Sequence, residues 1–259
     1  MNPSSHRNRE QSYFHEVARL PDNDIDLGHS AMLIAAAEYP GLDICRELAS
    51  LDSLARAASR RMTPNLDPFR SVNTLSEYLF DEVGFTGNLS DYYDPRNSML
   101  NDVLDRRLGI PITLSLVYIE VGKRLGLPIT GVGMPGHFLV KHTEEVGLYI
   151  DPFNAGILLS ESDCARKFHE ITEASVQWNP SYLRPIGNLQ FVARLIRNLK
   201  AIYVRSQDFA RALRMSDWLI TLQPAVASEQ RDRGIIKYEM GNYGGALDDL
   251  QAYLDRVPE

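Results

Sequence analysis

His137 and Asp151 are the two residues whose types and spacing suit joint chemistry. A carboxylate beside an imidazole orients the ring and stabilises its charged form, which is what a general base needs. His137 opens the stretch HFLVKH, and Asp151 closes LYID just before Pro152. Both stretches have the period of two that marks strands. With a hairpin turn centred on Glu144, paired residue numbers sum to 288, and His137 lies opposite Asp151. Opposite residues have Cβ atoms about 4.5–5.5 Å apart. A one-residue slip would send the two to opposite faces. The plainer alternative is a strand-end His and a turn-forming Asp before a proline.

The same residues do not suggest a metal. His137 and His142 are five apart, an odd offset that points them to opposite faces of a strand. No His-Glu-x-x-His stretch exists, and His6, His15, His29 and His169 have no ligand spacing. Cys45 and Cys164 stand far apart, outside any Cys-x-x-Cys pattern. That excludes a disulfide framework and a zinc knuckle, and fits a reducing compartment. No metal and no cofactor are expected.

Helices must hold these strands. From Ile25 to Ser59 apolar residues recur at helical spacing, and Pro40–Gly41 splits the run in two. Val72, Leu75, Leu79 and Phe80 continue it up to Gly84. GFTGNLSDYYDPRN is a turn-rich loop, and Ser98 to Leu108 predicts a helix closed by Gly109. ITLSLVYIEVGKRLG is the most apolar helix of the chain and is expected at its centre, ending at Gly126. After Pro128 three strands are expected, ITGVGM, HFLVKH and LYIDPF, and then a helix opened by Ser160 with Asp163. Pro180 and Pro185 mark a link to a helical tail. Residues 1–24 are polar and unpatterned, which predicts a loosely docked start.

The tail repeats itself. Phe209 returns as Tyr243, Ala212 as Ala246, Leu213 as Leu247, Ile220 as Leu254 and Pro224 as Pro258, a period of 34 residues. That is the spacing of tetratricopeptide repeats, in which a small Ala lets two antiparallel helices approach. The first unit has Lys200 where the pattern prefers Gly, which the second supplies as Gly234. Two such units seldom bury enough surface to stand alone, so Leu195, Leu199 and Ile202 are expected to lean on the preceding domain.

A helix ending in LGLP, a strand, PGHFLV and a strand ending in IDPF resemble the core of the transglutaminase-like superfamily. More closely, YYDPRNSMLNDVLDRRLGIPITLSLVY with MPGHFLVKH and paired repeats is similar to the bacterial SirB-type branch. The resemblance covers about residue 25 to the last residue. It implies an α+β, papain-like core at residues 25–187, followed by an all-α pair of tetratricopeptide hairpins at 188–259. It also implies that His137 and Asp151 are the base and its orienting acid, serving a Cys at a helix N-terminus. The family Cys falls near Pro111 to Thr113, and no Cys stands there. Thr113 and Ser115 are the nearest hydroxyls, as nucleophiles or merely as cap and packing. Cys45, flanked by apolar residues, is expected to be a core thiol. Asn97 and Asn101 are candidates to bond a substrate carbonyl, although Asn97 and Ser98 also suit a helix cap.

Composition bounds the function. The chain has 259 residues, 44% hydrophobic and 24% charged, with a net charge of −7. That describes an ordinary core and offers no basic, aromatic-interleaved surface for nucleic acid. The apolar run Ala31–Ala37 is too short to cross a membrane, and MNPSSHRNREQ lacks the apolar core of a signal peptide. The expected function is a cytoplasmic protein- or peptide-binding protein that uses the repeats and a cleft lined by His137 and Asp151. The alternative is an amide or peptide hydrolase with Thr113 or Ser115 as nucleophile.

Overall fold

A computed structural model describes residues 12–62, 67–172 and 176–257. The first helices form where the sequence supplies both cap and stop. In α1 (Leu27–Ala36) the Asp26 carboxylate accepts the His29 N–H, and the chain turns out at Gly41, whose φ is +101°. In α2 (Ile44–Ser59) Asp43 caps the start, while Leu51, Ala55 and Ala58 face inward. Asp67 and Pro68 start α3 (Pro68–Ser76), which runs on as a π-helical turn through Glu77–Glu82.

The central helix α5 (Pro111–Arg124) follows the shorter α4 (Leu100–Arg106). It is buried at every position from Pro111 to Gly122, as a helix apolar on all sides must be. Its single acid, Glu120, accepts the Gly28 N–H at 3.2 Å and pairs with Arg124 at 2.5 Å. A Cβ at Gly28 would stand 2.9 Å from a Glu120 oxygen, so a larger residue there would push that carboxylate off the Gly28 N–H.

Strands β3 (Ile129–Val132), β4 (Leu139–His142), β5 (Tyr149–Asp151) and β6 (Ile157–Leu159) form one antiparallel sheet in that order. Alternation splits its side chains. Val140 and Ile150 join the main core with α5, whereas Leu139 and Tyr149 pack with Cys164 and Phe168 of α6 (Glu161–Ile171). Ser160 and Asp163 form the capping box foreseen for α6. Two two-residue strands, β1 (Thr86–Gly87) and β2 (Leu108–Gly109), pair in parallel beside the start of α5.

The repeats are four helices, α7 (Asn188–Arg205), α8 (Phe209–Leu222), α9 (Ala227–Glu239) and α10 (Tyr243–Leu254). Ala212 and Ala246 are buried at the helix crossings. Lys200, standing where a glycine was expected, is buried and paired with Glu229 at 2.6 Å and Asp232 at 2.8 Å. One hydrophobic core runs from Phe14 and Met32 through α5 to Leu195, Leu199, Trp218 and Ile236. Leu195 and Leu199 therefore lean on the first domain as expected, while Ile202 is buried outside this cluster. The final proline of the repeat pattern, Pro258, lies outside the described residues.

Several expectations need correction. Residues 1–11 lie outside the described set, but 12–17 are helical, with Phe14 and Val17 fully buried. A lone apolar pair one turn apart is a weak periodic signal, yet it suffices because Phe14 meets the Trp218 ring at 4.7 Å. Asp22 in the same segment accepts the N–H groups of Asn188 and Leu189, both at 2.9 Å, and so caps α7. The helix expected from Ser98 to Leu108 is only Leu100–Arg106. Arg107 adopts φ 59° and ends it, which frees Leu108–Gly109 to pair as a strand. Cys45 is exposed and not a core thiol. β1, β2 and β6 were not foreseen, being two or three residues long and too short to show alternation.

Candidate functional site

The turn before β4 presents His137. Pro135 and Gly136 occupy its centre, Gly136 has φ +75°, and the His137 N–H donates to the Met134 carbonyl at 3.1 Å. Proline followed by a residue at positive φ is the signature of a type II turn. From α7, the Arg194 guanidinium donates to the carbonyls of Met134 and His137, both at 2.8 Å. The repeat region thus clamps the loop that carries the histidine.

Asp151 ends β5 and starts the turn Pro152–Asn154. Its Oδ1 accepts the N–H groups of Phe153 (3.2 Å) and Asn154 (3.3 Å). Its Oδ2 accepts from His137 Nε2 at 2.9 Å and Asn154 Nδ2 at 2.8 Å, and pairs with Lys167 Nζ at 3.0 Å. Burial pushes the carboxyl up, but the His137 hydrogen bond and charge, with Lys167, outweigh it and hold Asp151 below its usual value. An ionised carboxylate only accepts, so Nε2 of His137 carries the proton. Among the described residues Nδ1 has no hydrogen-bond partner. The Lys167 ammonium shares the oxygen that His137 uses, so the negative charge does not serve the imidazole alone.

The pair thus meets as expected, by a different register. Val140 faces Ile150 and Lys141 faces Tyr149, so paired numbers sum to 290 and not 288. A shift of two in that sum preserves which face each residue occupies, and His137 reaches Asp151 diagonally. Asp151 lies on the face of Leu139 and Tyr149, turned toward α6, which is why Lys167 finds it.

The other candidates fare differently. Thr113 is fully buried. Its Oγ1 accepts the Ile110 N–H at 3.0 Å and gives its proton to the Asn97 carbonyl at 2.7 Å. It caps the start of α5, with its proton bonded to a backbone carbonyl. Ser115 is fully buried with no partner for its hydroxyl among the described residues. Asn97 does not cap α4. Its amide donates to the carbonyls of Asp91 (2.7 Å) and Tyr92 (3.3 Å) and accepts from Asn88 (3.1 Å), fastening the loop before it. Asn101 is buried, and its carbonyl oxygen has no partner among the described residues. Cys164 is buried too, and burial, with Asp151 nearby, pushes its thiol up to about 12.

The expected cleft is narrow at best, since Asp151 is 0% and His137 only 6% exposed. A cavity of about 430 Å³ lies elsewhere, between Arg46, Leu54, Tyr78, Phe85 and Arg107, and one of about 310 Å³ lies between Tyr39, Arg96, Tyr203 and Arg211. Among the described residues no His, Cys, Asp and Glu cluster is arranged to hold a metal. Lys167, Arg194 and Asn154 were not foreseen. Asn154 had a signal, since Asp-Pro-x-Asn after a strand marks an Asx turn, whereas nothing in the sequence joins Lys167 or Arg194 to the pair.

A family model described as the transglutaminase-like superfamily matches residues 46–197, and a tetratricopeptide-repeat model matches residues 199–259. A UPF0162 protein of Xylella fastidiosa is 34% identical over 254 residues, 95% of this chain and 89% of that protein. A UPF0162 protein of Vibrio cholerae is 27% identical over 247 residues, 93% and 91% of the two chains. Mouse F-box only protein 21 is 32% identical over 136 residues, 47% of this chain and 22% of that protein. No solved structure matches. With more than half its length matched by the domain model and a relative 34% identical over 95% of it, the chain belongs to the transglutaminase-like superfamily and to its UPF0162 relatives, and it carries tetratricopeptide repeats.

Proposed function

We propose that the protein is a cytosolic binding protein that captures a protein or peptide partner through its repeats and performs no acyl transfer. The observation that carries this reading is the state of Thr113 at the head of the central helix. Its hydroxyl accepts one backbone N–H and spends its proton on the Asn97 carbonyl and not on a base. A hydroxyl becomes a nucleophile at neutral pH only when an aligned base takes its proton. Neither thiol supplies a substitute, because Cys164 is buried with its proton firmly held and Cys45 lies exposed on α2. Two free cysteines also suit the reducing cytosol. On this reading His137, Asp151 and Lys167 brace the sheet against α6.

The hydrolase reading keeps one observation in its favour, the 2.9 Å contact between His137 Nε2 and Asp151. A fluorophosphonate or activated-acyl probe separates the two. The expected result is no labelling of the folded protein. Stoichiometric labelling of Thr113 or Ser115 that vanishes in His137→Ala would overturn the binding-protein reading.

A further inference from the structure

The second repeat exposes a face that the first repeat keeps covered. In the first unit Phe209 and Leu213 are partly buried and pack on the main core. The seam of α8 is closed by α9, whose Arg233 reaches Asp217 at 2.9 Å. Thirty-four residues on, the equivalent side chains stand open, with Tyr243 at 66%, Leu247 at 68% and Leu254 at 58% exposure. They lie one or two turns apart on one side of α10. The Tyr238 ring, itself 58% exposed, meets Tyr243 at 5.4 Å and extends the patch onto α9 with Ile235.

We infer that this face docks an amphipathic helix of a partner protein, with an apolar stripe and lysines or arginines on its flank. This deepens the binding function proposed above and rests on it. The helical shape follows from the repeat, since the next element joined to this side of α8, through Arg233 and Asp217, is a helix, α9. The charge follows from the rim. Asp248 and Asp255, two turns apart, run along the exposed edge of α10 beside Leu247 and Leu254, and Glu239 closes α9 nearby. None of these three carboxylates has an ion-pair partner among the described residues. A second copy of this chain fits poorly, because two such faces brought together would set acidic rims against each other. Like charges held in register disfavour association, whereas a basic flank would be drawn in.

The full chain can be titrated, by fluorescence anisotropy, into two labelled synthetic helical peptides. Both carry leucines at i, i+3, i+4 and i+7, with lysines at the remaining positions in one and glutamates in the other. The lysine peptide should bind at least tenfold tighter than the glutamate peptide. Leu247→Asn should weaken it at least tenfold with an unchanged melting temperature, since the side chain is exposed. The double variant Asp248→Lys, Asp255→Lys should invert the preference. Equal affinity for the two peptides, or binding indifferent to Leu247→Asn, overturns the proposal. So does a dimer in sedimentation velocity that Leu247→Asn dissolves, which would make a second copy the occupant. Labelling by the acyl probe would sink the non-catalytic reading and leave these peptide affinities as they are, so the two failures are distinguishable.

Discussion

At the level of single residues, the hydrogen bonds around Asp151 make a buried negative charge tolerable. A buried carboxylate is stable only when its oxygens are paired and bonded, and here His137, Lys167, Asn154 and two backbone N–H groups do this. Removing the acid leaves the Lys167 ammonium without its partner. We expect Asp151→Ala to lower stability by about 3–5 kcal/mol, the usual result of breaking a buried ion pair. Urea unfolding at neutral pH measures it, and a loss under 1 kcal/mol would contradict the described geometry. The pH dependence has a definite sign. The folded carboxyl titrates below its unfolded value of about 3.9, so its contribution is complete above that pH and is lost as the pH falls through the folded pKa. The urea midpoint of the native chain should therefore fall on acidification below about pH 4. In Asp151→Asn that part of the acid limb should be missing.

Among the elements, the central helix depends on how its first turn is capped. Thr113 and Ser115 looked alike as hydroxyls, but packing separates them. Thr113 links the Ile110 N–H to the Asn97 carbonyl, joining α5 to the turn before α4. Thr113→Ala strands both backbone groups in the interior and should lower stability by roughly 1–2 kcal/mol. Ser115 buries a hydroxyl without a partner, so Ser115→Ala should be neutral or slightly stabilising. Thermal unfolding of the two variants side by side tests this contrast, and the reverse order would mean that Ser115 has a partner in solution.

For the molecule as a whole, the domain and the repeats share one core. Phe191, Leu195, Ile196 and Leu199 on α7 are all buried in the cluster that includes Phe14, Met32 and Val117. The capping of α7 by Asp22 and the grip of Arg194 on the His137 turn are further ties across the same boundary. A chain cut after Pro185 should then expose apolar surface, melt lower and self-associate. If it remained monomeric with an unchanged melting temperature, the repeats would be an independent module.

The sequence by itself determined the helices whose caps and stops are local, such as Asp26 to Gly41 and Ser160 with Asp163. It determined the burial of α5, because a helix apolar on every side has no other place, and the repeats, because their spacing recurs. Strand periodicity made a shared face available to His137 and Asp151, but the tertiary register, two residues from the hairpin sum, is what kept them on it. Tertiary structure decided everything that depends on contact across long separations. It turned Phe14 inward onto Trp218 and brought Lys167 to Asp151 and Arg194 to the His137 turn. It also committed the Thr113 proton to Asn97. A side chain's partner in the interior is set by packing between distant elements, and no local period or cap encodes it.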